Sequence, residues 1–173
     1  RSSAASDVYK RQNEARTTLK PLLDKAPNDI TYNLAQIELD MDSNRLADAQ
    51  QRVDRMRTLY PGNYPLNQVR VDLLLKQNRP ADAEKALDAL LKSRPDDPDV
   101  WYQVAETRGL SGNIIGLHQA RAEYFALMGD YRQAIQQIAF AKKLTNNFQL
   151  SSRLDARQRE LMDQERAIKD MMN

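Results

Sequence analysis

Apolar residues return along this chain at steps of four and three, the spacing that keeps them on one face of a helix. Three stretches show it in the same register: EARTTLKPLLDKAP, DAQQRVDRMRTLYP and DAEKALDALLKSRP. Their anchors are Ala15, Leu19, Leu22 and Pro27; Ala49, Val53, Met56 and Pro61; and Ala83, Leu87, Leu90 and Pro95. The pattern predicts three helices with a narrow apolar stripe. The small residue admits a close neighbour, and the proline ends or follows each helix. Between them lie TYNLAQIELDM, LNQVRVDLLLKQ and VWYQVAETRGL, each followed by a break (DSN, NRP, SGN) and preceded by a proline or an Asn/Asp-rich turn suited to capping. At Asp97-Pro98 the acid can cap while the proline fills the first turn, where its missing N–H costs nothing. No segment sustains a period-two alternation, so the expected class is all-α.

Two segments depart from this rhythm. In HQARAEYFALMGDYRQAI, the helix expected from Ile114 to Met128 carries two apolar stripes. Leu117, Ala120 and Tyr124 form one; Ile115, His118, Ala122 and Phe125 form the other, about 100° away. Counting forward from Trp101 makes this a second helix of a pair, whereas counting back from Gly129-Asp130-Tyr131 and Ala134 makes it a first helix. The expectation is a break in repeat register, with a change of curvature and a pocket near Tyr102, Glu106, Gln119 and Glu123. From Phe148 onward, Leu154, Leu161 and Ile168 recur at seven-residue spacing, with Leu150 ahead and Met171 and Met172 behind. That predicts one long helix over residues 148–173, covering the apolar end of the array.

Composition narrows the function classes. Lys plus Arg number 26 against 24 Asp plus Glu, interspersed along the chain, so no field of one sign is expected to draw nucleic acid or an acidic membrane. Cysteine is absent, which removes disulfides, thiol catalysis and Cys-based zinc sites. No apolar run reaches membrane-spanning length, so direct membrane insertion is not expected. Residues 1–12, RSSAASDVYKRQ, carry no stripe and look like a translated cloning junction or a disordered tail; they are set apart from the fold. His118 is expected to be a packed or rim histidine, Asp72 and Glu106 solvated acids, and Trp101 an inter-helix packing residue.

The period of about 34, the opening Trp101-Tyr102, the turn Gly129-Asp130-Tyr131 with Ala134, and the terminal prolines together resemble the tetratricopeptide (TPR) repeat. The resemblance covers residues 13–147, read as a truncated first repeat, entered at its second helix, and then about four units. It implies a right-handed α-solenoid. Lacking a partner helix, the face of Ala15, Leu19 and Leu22 would be partly uncovered, and self-association through it is expected.

The wording ARAEYFALMGDYRQAIQQIAFAKKL, followed by NNFQLSSRLDARQRELMDQ, is similar to the C-terminal TPR region of the BepA/YfgC-type β-barrel assembly-enhancing metalloproteases. That resemblance implies a periplasmic recruiting domain engaging outer-membrane assembly machinery or unfolded outer-membrane proteins. The zinc of such enzymes would belong to a protease domain carrying HExxH; no HExxH occurs here, and the only histidine is His118, so no cofactor and no catalysis are expected of this chain.

Carried over by motif position, the TPR groove would present Tyr32, Gln36, Leu39 and Asp40, then Gln68, Asp72, Leu75 and Lys76, then Tyr102 and Glu106. This mixed surface suits an extended peptide or an unpaired strand edge. Tyr, Gln and Asp at these places disfavour a Lys/Asn carboxylate clamp. A generic TPR adaptor is the alternative to the envelope-specific reading.

Overall fold

A computed structural model describes residues 2–172, leaving Arg1 and Asn173 outside the described residues; the side chains of Ser2 and Ser3 are likewise outside them. The described chain is helical, with α1 Ser2–Lys25, α2 Ile30–Asp42, α3 Leu46–Leu59, α4 Tyr64–Lys76, α5 Pro80–Ser93, α6 Pro98–Leu110, α7 Ile114–Leu127, α8 Tyr131–Lys143 and α9 Phe148–Met172. It divides into two compact units, Arg1–Arg79 and Pro80–Asn173.

Two kinds of connection join these helices, and their chemistry explains the difference. Residues 43–45, 77–79, 111–113 and 128–130 are three-residue turns whose middle residue, Asn44, Asn78, Gly112 or Gly129, has φ between 56° and 80°. In each, the last residue's N–H returns to the carbonyl five residues back: Arg45 to Asp40, Arg79 to Leu74, Asn113 to Arg108 and Asp130 to Phe125, at 2.7–2.9 Å. The left-handed residue thus lets the chain satisfy carbonyls that a helix end leaves open, and Asn and Gly are the residues that adopt it most readily. Residues 26–29, 60–63, 94–97 and 144–147 are four-residue linkers. Pro27, Pro61 and Pro95 sit in the first three.

Each proline linker is pinned to the helix it starts. Asn33 Nδ2 donates to the carbonyl of Pro27 at 3.0 Å, Asn67 Nδ2 to that of Pro61 at 3.1 Å, and Trp101 Nε1 to that of Pro95 at 2.7 Å. The three donors stand 34 residues apart, as do the starts of α2, α4 and α6. Asp29 and Asn63 cap α2 and α4 by accepting the N–H of Tyr32 and Leu66, while Asp97 caps α6 through the N–H of Asp99. Half-buried Trp101 therefore does more than fill space: its indole N–H ties the α5–α6 linker to α6.

In unit 1, Ile37, Ala49, Val53, Met56, Leu66 and Leu73 are fully enclosed in one core, with α2 packed on α3 and α4. The register positions that α3 buries with Ala49, Val53 and Met56 are open on α1, where Ala15 is exposed and Leu19 and Leu22 are half-buried. The segment set apart in the sequence behaves otherwise than as a disordered tail: α1 runs unbroken through residues 2–12, with residues 4–11 exposed and Gln12 half-buried, so no structural boundary falls at Asn13. Backbone hydrogen bonding carries a helix through a sequence with no apolar stripe, because continuing a formed helix costs far less than starting one.

In unit 2, Ala122, Ala134, Ile138, Ala141, Leu154 and Leu161 form the core that unites α7, α8 and α9. Leu154 and Leu161 are buried, Ile168 is half-buried and Met171 and Met172 are exposed, so α9 covers α8 with its first four turns and leaves its last turn open. α7 is entered and left through three-residue left-handed turns, with no four-residue linker on either side. It answers both counts of the repeat. One stripe faces α6, the other α8.

Replacing Gly112 or Gly129 by Ala should cost about 1–2 kcal/mol each, because a Cβ has open space at both but sits on a left-handed backbone. Gly62→Ala, where space is equally open and φ is not positive, should be near neutral. Urea denaturation of the three variants checks this, and equal costs would contradict the strain argument.

Candidate functional site

The double role of α7 creates a cavity in unit 2. Tyr102, Ala105 and Glu106 of α6 and Leu117, Arg121, Tyr124 and Phe125 of α7 enclose about 240 Å³. The steps of four from Tyr102 to Glu106 and from Leu117 to Arg121 place one apolar and one charged side chain on each wall. Tyr102 is 60% exposed and meets Tyr124 edge to face at 5.8 Å and 61°; Tyr124 meets Phe125 at 5.4 Å and 68°. The aromatic wall is thus linked to the core through Phe125. The volume is smaller than the cavities that hold cofactors or drug-sized ligands, and it fits one large side chain. Glu106 and Arg121 offer an acceptor and donors to the backbone on either side of such a side chain.

Two residues expected in this pocket lie elsewhere. Glu123 is turned about 100° from Tyr124 and receives Arg157 of α9 in a bidentate pair, Nε to Oε1 at 2.8 Å and Nη2 to Oε2 at 2.7 Å. The Glu123 hydrogen bonds hold the Arg157 guanidinium above its ordinary pKa, against the opposing effect of partial burial, and Glu160 adds to the rise. Gln119 is half-buried on α7 and is not among the lining residues. Leu117, Arg121 and Phe125 take their places, residues that the two-stripe pattern assigned to packing or passed over.

His118 is a packed histidine. Its Nδ1 lies 2.8 Å from Gln137 Oε1 and its ring 5.5 Å from that of Phe140, both on α8.

The positions assigned to a groove in unit 1 fall into two groups. On α2, Tyr32, Gln36 and Leu39 are half-buried, but Asp40 is only 4% exposed. Asp40 accepts from Gln36 Nε2 at 2.9 Å and lies 3.6 Å from Arg16 Nη2, so it is an interior acid held by its neighbours rather than a solvated groove carboxylate. Burial without these partners would be costly. On α4, Gln68 donates to the Tyr64 hydroxyl at 2.8 Å, Asp72 and Leu75 are half-buried, and Lys76 is exposed.

Among the described residues, no group of three or more His, Cys, Asp or Glu side chains is placed to hold a metal ion. No described helix is long and apolar enough to cross a membrane.

Residues 40–106 match the tetratricopeptide repeat family, a span running from the end of α2 into α6. α7, α8 and α9 lie outside it. Among solved structures, the chain is similar to MamA, residues 41 to the end, from Desulfovibrio magneticus RS-1, with a TM-score of 0.63, 16% identity, and 94% of this chain and 93% of that one covered. An ArsTM double mutant of MamA RS-1 gives the same figures. A tetratricopeptide repeat protein from Parabacteroides merdae ATCC 43184 follows, with a TM-score of 0.54, 14% identity, and coverage of 86% and 66%. At these identities the likeness is one of fold. No curated protein matches the chain. The class is thereby defined: an all-α fold of the TPR solenoid type, closed by a long C-terminal helix.

The Arg157–Glu123 pair ties the back of α7 to α9 while the cavity opens on its other side. A double-mutant cycle with Arg157→Gln and Glu123→Gln should return a coupling of about 1 kcal/mol that shrinks in high salt, as befits a part-exposed bidentate pair. Zero coupling at low salt would show the pair to be incidental.

Proposed function

We propose that this chain is a protein-binding module, and that the α6–α7 cavity seats an apolar or aromatic side chain of an extended partner segment between Glu106 and Arg121. The observation that carries this reading is the exposed Tyr102 standing over an apolar recess of side-chain size, walled by Tyr124 and Leu117. Aromatic anchors of this kind supply large contact area at low entropic cost, and flanking polar groups fix the register of the bound segment.

The finer reading is that the module recruits outer-membrane assembly machinery, or unfolded β-barrel clients, for a periplasmic zinc metalloprotease whose catalytic domain is not part of this sequence. It is supported by the similarity of the segment from Ala120 to Leu144 and of the α9 sequence to the TPR region of BepA/YfgC-type proteins. A strand awaiting its partner offers alternating side chains and free backbone groups, the chemistry this cavity accepts.

Photocrosslinking in bacterial cells tests both levels. A crosslinker replacing Tyr102 should capture envelope β-barrel proteins or their assembly factors, whereas one replacing the exposed Gln136 of α8 should not. Adducts with soluble proteins alone would favour a generic adaptor. Equal adducts from both positions would remove the cavity from the account.

The open stripe of Val8, Ala15, Leu19 and Leu22 on α1 leads to a second expectation, that two copies associate through it. Sedimentation should show dimer growing with concentration and abolished by Leu19→Glu; a monomer throughout would refute it.

A further inference from the structure

The interspersed charges of the sequence do not stay interspersed in unit 1. Arg16 and Lys20 of α1, Arg45, which stands just ahead of α3, and Arg52 and Arg55 of α3 line one open cleft of about 410 Å³, with Gln36 of α2 also on its wall. Asp24 is the one acid on the lining, and it is spent on Lys20, one helical turn away at 3.1 Å. Asp40 lies beneath, held by Gln36 and Arg16. Asp48 acts on Arg52 from α3. Five cations therefore face three acids.

Two of these cations, Arg16 and Arg52, are also short of acceptors. Arg16 Nε and Arg52 Nε are buried with no hydrogen-bond partner, and Arg16 Nη2 has the Asp40 carboxylate no nearer than 3.6 Å. Arg52 Nη1 and Arg55 Nη2 converge on one oxygen, Asn33 Oδ1, at 2.8 and 2.9 Å. Burial pushes the Arg52 pKa down, Arg55 adds to this, and Asp40 and Asp48 oppose it without cancelling it. Buried guanidinium donors without acceptors and like charges held close are both costly, and one anion entering the cleft relieves both.

We infer that this cleft is a second binding site, and that it takes an acidic segment of a partner protein, with side-chain carboxylates set between the guanidinium groups of Arg16, Arg45 and Arg52. Planar guanidinium groups match carboxylates in paired hydrogen bonds, and three on facing walls accept successive acidic side chains. The cleft is wide enough for a peptide and has Leu23 and Pro27 as an apolar wall. A nucleic-acid strand fits less well. No aromatic side chain lines the cleft for base stacking, and the cations form a closed cluster where a phosphate backbone calls for a track. The site is separate from the α6–α7 cavity, and neither reading needs the other.

The test uses the whole chain and fluorescein-labelled hexaglutamate, with hexaglutamine as the uncharged control and a thymidine oligonucleotide and inorganic phosphate as competitors. Lys20 and Arg45 are exposed and hold no core contact, so the double variant Lys20→Glu/Arg45→Glu should keep its fold, checked by its melting curve. Hexaglutamate should bind and hexaglutamine should not. The double variant should weaken binding on the order of tenfold or more, and Lys20→Arg, which keeps the charge, should preserve it. The Nε–H resonances of Arg16 and Arg52 should move on titration. Equal binding of the two peptides, unchanged affinity in the folded double variant, resonance shifts confined to other arginines, or preferential binding of the oligonucleotide or phosphate would each overturn the assignment.

Discussion

A helix end leaves carbonyls without partners, and how this chain satisfies them decides everything that follows. Where a left-handed Asn or Gly folds the next N–H back onto the carbonyl five residues earlier, the chain reverses within three residues. Where a proline stops the helix, four residues are needed, and a side chain from the following helix must reach back to take the free carbonyl. The first device joins helices as a pair, and the second passes from one pair to the next. Because α7 has the first device at both ends, it must find packing partners on two sides, and the aromatic cavity exists as a result.

How much of this the sequence displays depends on the range of the interaction responsible. The stripe Ala49, Val53, Met56 and the stripe Ala83, Leu87, Leu90 are spelled out by spacing alone, and all six side chains are buried. The two faces of α7 were equally legible, since periodicity is a local property. Glu123 was misplaced because its partner Arg157 stands 34 residues away on a helix whose rotation no local pattern fixes. Asp40 reads as a groove residue for a similar reason: its enclosure involves Arg16, which stands on another helix, α1. The helical state of residues 2–12 leaves no trace in the pattern, since none of residues 4–12 is buried strongly enough to impose a period.

The two clefts differ in chemistry. In unit 2 the recess is apolar, of side-chain size, with one charge of each sign at its mouth. In unit 1 the cleft is wider and cationic, with donors that lack acceptors. The composition conceals this division, because a net charge of +2 over the chain is an average over places where the sign is locally strong. Both are open surfaces of the size and chemistry of a peptide segment's side chains.

The double-sided burial of α7 also bears on the order in which unit 2 can be built. Most contacts in an array of helical pairs are made between neighbours in sequence, so such chains can fold by adding one pair at a time. α7 departs from that scheme. With Ala120 and Ala122 both fully enclosed on separate faces, it gains its full burial only once α6 and α8 are both in place. The smallest cooperative element around it is therefore three helices rather than two. Of the two cavity tyrosines, Tyr124 rides on the segment that must wait for both of its neighbours, and once formed is hardest to loosen alone.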